Sequence, residues 1–247
     1  MEEYTEIHND FSSVLEICKQ SSRKFMGIRA PTSAHFFASV LFTKLCVCSV
    51  SIYKLSPEPN MIEENEHWDF ASVASLTRNI VECYLVFHYL CIEQCSIDER
   101  DARLHLMNLH DHISRTKIFG NEDDKKSDIE VKTDLMENLK NNAWFQRLNE
   151  KRKVHYLKGN TAFFNTNAEI VEASGYDVSE FKSMYRFLSN YTHSFPMGFY
   201  RLAEHDSGRG YKSEIEVLYT SICLQWVTHY LTNAESEFVH LWENESQ

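Results

Sequence analysis

Along most of this chain apolar residues return every three or four positions, the spacing that stacks side chains on one face of an α-helix. Nine helical segments follow from that pattern. Residues 3–26 carry Ile7, Phe11, Val14, Leu15 and Cys18 at helical spacing, and Gly27 ends the run. Ala30-Pro31-Thr32-Ser33 offers a hydroxyl cap for a second helix reaching about Lys54, where SPEPN breaks the chain. From Asp69 to Cys95 the composition is apolar nearly all the way round, which predicts the central helix of a bundle. Ser96-Ile97-Asp98-Glu99 fits a capping box and opens a fourth helix with Leu104, Met107, Leu109 and Ile113, up to Gly120. Residues 128–158 read as one long or broken polar helix on the outside, anchored by Val131, Leu135, Leu139, Trp144 and Leu148. A short helix over Ala168–Ser174 follows. Asp177 or Ser179 caps the next, from Glu180 to about His193, with Phe181, Met184, Tyr185 and Leu188 at helical spacing. Another turn or two covers 197–204, and a strongly apolar final helix runs from Glu214 to about Trp242.

Composition narrows the class. Only 7 Gly and 4 Pro occur, too few for the turns of a many-stranded β protein, so the expectation is an all-α multi-helix bundle. With no repeat and no shift in composition, residues 1–247 read as a single helical domain. The 7 cysteines lie inside apolar helical patterns and read as buried free thiols of a reducing compartment. The acidic start MEEYTEIHND lacks the layout of a secretion signal, which points to the cytoplasm. The longest apolar stretch, Ser33 to Leu55, is interrupted by Lys44 and punctuated by His35, Ser39, Thr43, Ser49 and Ser51. It reads as a core helix, with no membrane span expected.

Charge then picks out candidates. Arg78 and Glu82 sit one turn apart in the most apolar helix, where ionised side chains are seldom tolerated without a partner. They are either a structural ion pair or part of a working site. In Tyr185-Arg186-Phe187-Leu188-Ser189-Asn190-Tyr191-Thr192-His193, Arg186 and His193 lie seven residues apart, about 10 Å along a helix, with Asn190 between them. His193 falls at a helix C-terminus, where the dipole favours the charged imidazole and a proton can be donated or accepted. Arg186 is suited to gripping a phosphate. The formal net charge of -11 opposes general attraction to polyanions. One segment runs the other way: Arg147, Lys151, Arg152, Lys153 and Lys158 face the single Glu150 in RLNEKRKVHYLK. This is either a candidate RNA-binding face or a solvated helix end.

The helix SLTRNIVECYLVFHYL, Arg100 with Arg103, the phrase AEIVEASGYDVSEFKSMYRFLSNYTHS and the following FPMGFYRL together resemble an uncharacterised family of bacterial helical proteins, over roughly Ala71 to Leu202. That family has an Arg-x-x-x-Glu helix followed by Tyr-x-x-Leu-Ser-x-x-x-His. Arg78 and Glu82 match the first motif, and Tyr185, Leu188, Ser189 and His193 match the second. A looser resemblance is to the HEPN superfamily, helical bundles that include metal-independent ribonucleases with an Arg-x4-6-His motif, which Arg186 and His193 fit at the longest spacing. Phe187 departs from it, since those nucleases place a polar residue after the arginine. The HEPN resemblance implies Arg186 and His193 as catalytic pair, a homodimer, and RNA or a nucleotide as ligand; beside that pair, Arg78, Glu82, Tyr185, Ser189 and Asn190 are read as supporting residues. A bacterial toxin or phage-defence effector would fit.

The other expectation is a helical protein-interaction module, with the same charged residues as a buried polar network and a protein partner. No cofactor and no metal are expected. His105, His110, Asp111 and His112 occupy different faces of one helix, Glu204-His205-Asp206 reads as a solvated loop, and no glycine-rich nucleotide loop or nucleophile elbow is present.

Overall fold

A computed structural model describes residues 1–61, 67–120, 125–193, 195–204 and 210–244. Within these the chain is all-α, with eleven α-helices, one 3-10 turn and one π-helical turn. The loop run Glu204-His205-Asp206 lies largely outside them. By internal contacts the chain falls into two compact units, Met1–Ile92 with Val171–Gln247, and Glu93–Ile170.

The first unit holds α1 (Glu2–Lys24), α2 (Ser33–Leu55), α3 (Phe70–Phe87), α9 (Val178–Thr192), α10 (Pro196–Glu204) and α11 (Glu214–Asn244). Their starts are set by side-chain caps that satisfy amides the helix leaves open. Thr32 accepts from the His35 amide, Asp69 from Ser72 at 3.0 Å, and Asp177 from Glu180 at 2.7 Å. The last two anchor the helices that carry Arg78 and His193. As expected of a helix apolar nearly all round, α3 lies at the centre, packed against α2, α9 and α11. Phe11, Phe42, Val81, Phe87, Leu188, Leu224 and Leu231 form the buried interior. α3 continues as a π-helical turn over His88–Ile92, a local widening of the helix that is over-represented near functional sites.

α2 is long and apolar enough by length and composition to cross a membrane, with a mean hydropathy of 1.8 and 33% of its most apolar window buried. One side, through Ala38, Phe42, Leu45 and Ile52, closes the core, and the other leaves Phe36, Val40 and Val47 exposed. All seven cysteines are free thiols, and burial pushes Cys46 and Cys83 up to about 11.

The second unit contains α4 (Ile97–Phe119), α5 (Lys125–Asn141), α6 (Ala143–Gln146) and α7 (Glu150–Tyr156), and α8 (Asn167–Ala173) straddles its end. Ser96 caps α4 through the Glu99 amide, as its capping box requires. The stretch read as one long or broken helix is broken twice. At each break an asparagine turns its side chain back to cap a new helix, Asn142 on Phe145 and Asn149 on Arg152, both at 2.9 Å. Ala102, Leu106, Leu109, Leu139, Phe145, Tyr156 and Phe164 form the unit's core, so α5 lies outside with only its Leu139 fully enclosed. Gly159 permits the close return of the chain to α4: its φ is +62°, and a Cβ there would stand 2.3 Å from Ile113 Cδ1.

Candidate functional site

Arg78 projects from α3 toward α9 and ends in three hydrogen bonds. Its Nε donates to Glu82 Oε1 at 3.0 Å, Nη2 to the Tyr185 hydroxyl at 2.7 Å, and Nη1 meets His193 Nε2 at 2.6 Å. The Tyr185 hydroxyl in turn donates to Glu82 Oε1 at 2.7 Å, closing a ring of guanidinium, phenol and carboxylate. The Tyr185 ring also lies under the guanidinium, 4.6 Å from its carbon. An arginine with so many partners has little freedom to turn, so its charge is held in place before any ligand arrives.

Proton positions follow from what each group can do. Arginine has no acceptor, so His193 must accept at Nε2 and carry its ring proton on Nδ1. Burial lowers the affinity of Arg78 for its proton, and the hydrogen bonds to Tyr185 and Glu82 outweigh it and hold that affinity above the ordinary arginine value. Burial first, and Glu82 second, push the Tyr185 phenol up.

The site is half open. The Arg78 side chain is 16% exposed and Glu82 42%, and His193 is exposed at its rim.

Of the residues singled out by sequence, Arg78, Glu82, Tyr185 and His193 come together. Arg186 does not join them. It is exposed on α9, two turns before His193. Its neighbour Phe187 packs on Tyr191, Tyr219 and Trp226 at 5.0, 5.2 and 5.8 Å between ring centroids. Ser189 and Asn190 turn back onto their own helix, donating to the carbonyls of Tyr185 at 2.6 Å and Arg186 at 2.7 Å.

The basic segment divides as well. In the second unit, Lys153 pairs with Glu150 at 2.9 Å, and Arg152 lies against Tyr156 and the Phe164 carbonyl. Arg147, Lys151 and Lys158 are exposed and form no ion pair among the described residues. His110 and His112 bond individually to the carbonyls of Gly159 and Asp128, both at 3.0 Å. No group of three or more His, Cys, Asp or Glu with metal-holding geometry occurs among the described residues.

Two buried arrangements gave no usable sign in the sequence. Arg103, one of the arginines in the resemblance, is 1% exposed and bonds Glu93 at 2.7 Å and Glu99 at 2.6 Å. Glu237 of α11 faces Tyr84, whose hydroxyl donates to Oε1 at 3.2 Å. Its i, i+4 partner Asn233 bonds the Tyr176 hydroxyl.

The fold and site define an all-α protein that presents a fixed guanidinium beside an imidazole at the edge of a helical bundle. The chain belongs to DUF5677, a family of unknown function, whose model matches residues 35–211 and so covers α2, α3, α9 and α10, including all four residues of the site. No curated protein and no solved structure matches the chain.

Proposed function

We propose that this chain is a metal-independent ribonuclease of HEPN-like type, acting in the cytoplasm, with Arg78 and His193 as its working pair in place of Arg186 and His193. The observation that carries the reading is the 2.6 Å contact of Arg78 Nη1 with His193 Nε2, which puts a charge-stabilising group and a proton-transfer group on one spot. Glu82 and Tyr185 hold the guanidinium in place. When a phosphate takes the guanidinium, Nε2 is released with its lone pair. The lone pair accepts the proton of the ribose 2′-hydroxyl as that oxygen attacks phosphorus. The P–O5′ bond breaks, the imidazolium returns the proton to the departing oxygen, and the products are a 2′,3′-cyclic phosphate and a 5′-hydroxyl end. In a homodimer the exposed Arg186 of one copy is available to the site of the other, and Arg147, Lys151 and Lys158 offer the second unit a grip on the RNA backbone.

A helical interaction module is the second reading, favoured by the closure of the Arg78 hydrogen bonds within one chain and by the position of Arg186 outside them. Incubation of mixed RNA with a chelator separates the two. The wild-type chain is expected to leave cyclic phosphate ends, and His193→Ala and Arg78→Ala to fall to less than about a tenth of its rate. Equal cleavage by all three proteins, or none by the wild type, ends the nuclease reading. A drop in thermal stability of Arg78→Ala without any RNA cleavage by the wild type is the outcome the module reading expects.

A further inference from the structure

His193 ends α9, and the residues that follow are unusually apolar for an open surface. Phe195 is 49% exposed, Phe199 46% and Tyr200 61%. The Phe195 ring centroid lies 5.5 Å from that of His193, and the rings of Phe199 and Tyr200 touch at 4.6 Å. Phe195 is also fixed in place. Its amide donates to the Asn190 carbonyl at 3.0 Å, and its own carbonyl accepts from Gly198 at 2.7 Å. Gly198 lets α10 lie directly on the end of α9, since a Cβ there would stand 2.6 Å from the Asn190 oxygen. The backbone at Phe195 is therefore fixed where its exposed ring lies beside the imidazole.

We infer that Phe195 is a base-stacking subsite of the Arg78–His193 site, so that the ligand is a single-stranded ribonucleotide segment. The inference rests on the reading of that site as a phosphate site. On that reading the occupant follows from what a phosphate carries: one that displaces His193 from the Arg78 guanidinium brings whatever is attached to it against the neighbouring Phe195 ring. In a nucleotide the attached group is a flat base that stacks on aromatic faces. A duplex keeps its bases stacked on one another and has no free face to offer, which makes the site selective for unpaired strands. Phe199 and Tyr200 add two exposed rings on α10.

The test uses the full chain and an oligoadenylate carrying 2-aminopurine, single-stranded or annealed to its complement. The wild type is expected to bind the single strand more tightly than the duplex and to quench the probe. Phe195→Leu keeps the apolar volume and loses the ring, so it should weaken single-strand binding about tenfold and abolish quenching, leaving duplex binding unchanged. Phe195→Trp should restore both. Equal single-strand binding by wild type and Phe195→Leu, with binding lost in Arg78→Ala, overturns the stacking subsite and leaves the phosphate site standing. Equal affinity of the wild type for single strand and duplex also overturns it. Binding of neither strand overturns both readings. A change of oligomeric state in Phe195→Leu with unchanged RNA binding assigns the rings to an interface between copies and overturns the subsite.

Discussion

Neutralising both carboxylates around Arg103, as Glu93→Gln with Glu99→Gln, is expected to cost the Glu93–Ile170 unit about 3–5 kcal/mol, and Arg103→Met to cost less. The guanidinium side chain is 2% exposed, whereas those of Glu93 and Glu99 are 20% and 23% exposed. Removing the carboxylate charges leaves a full positive charge enclosed with no counter-charge from these partners. Removing the arginine leaves two carboxylates that can turn toward water, and methionine refills most of the volume. The ordering follows from the desolvation of one buried ion, which outweighs the attraction lost with the pair. Adding Arg103→Met to the double variant should recover most of the lost stability, because the enclosed guanidinium charge is then removed together with these two counter-charges. Amide exchange in α4 and α5, followed together with urea unfolding, reads the effect in this unit. A larger loss in Arg103→Met than in the double Gln variant would refute the account. Loss of more than about 3 kcal/mol is a large fraction of the 5–15 kcal/mol that holds a typical domain.

The second large effect is a pH dependence at Glu237. Burial pushes its carboxyl up to about 7, from 4.5, against a smaller lowering by the Tyr84 hydroxyl. Oε2 is enclosed and has no hydrogen-bond partner among the described residues. The folded value is raised, so the contribution to stability is fully present below 4.5 and is lost as pH rises through about 7. In that window the unfolded chain has released the proton while the folded chain keeps it. Above the window both have released it, and the folded state carries an enclosed charge at a cost of about 2–3 kcal/mol.

Glu237→Gln has no proton to lose. Relative to the wild type it is expected to be about 2–3 kcal/mol better placed at pH 8 than at pH 4, the new amide donor adding the same small cost at both. His8 acts in the opposite sense. Burial lowers its imidazole despite Glu58, so acid favours the unfolded chain there, and the two contribute to the wild-type slope with opposite signs. The difference between wild type and variant removes His8 from the comparison. Urea unfolding at pH 5, 6, 7 and 8 gives that difference, and identical slopes for the two proteins would sink the assignment.

Both effects arise at residues whose setting no local pattern reveals. Arg103 follows Glu99 by one turn, which on a surface helix is an ordinary stabilising pair. That local pattern shows neither its enclosure nor its second carboxylate, Glu93. Glu237 stands in the final helix among polar residues, and its carboxyl becomes enclosed because α11 lies against α3 with Tyr84 facing it.

The candidate site was legible by halves. Arg78 and Glu82 stand out because an apolar helix has no use for isolated charges, and the spacing that puts them one turn apart is preserved as a 3.0 Å bond. Tyr185 and His193 were marked by their motif. Which arginine meets His193 was not legible. Arg186 shares a helix with it, yet two turns of rise hold the two apart. Arg78, 115 residues away in sequence, reaches it because α9 lies on α3.

Helix positions, caps and the all-α class were decided by the chain's own order of residues, since a helix bonds each residue to one four away and capping side chains reach three residues on. Thr32, Asp69, Ser96 and Asp177 act over that distance. The pairing of Arg78 with His193, the enclosure of Arg103 and Glu237, and the exposure of the rings after α9 were decided by which helices pack together. Those contacts join residues far apart in the chain, and their burial sets the cost of each charge. Periodicity names the buried face of a helix and leaves open what lies against it.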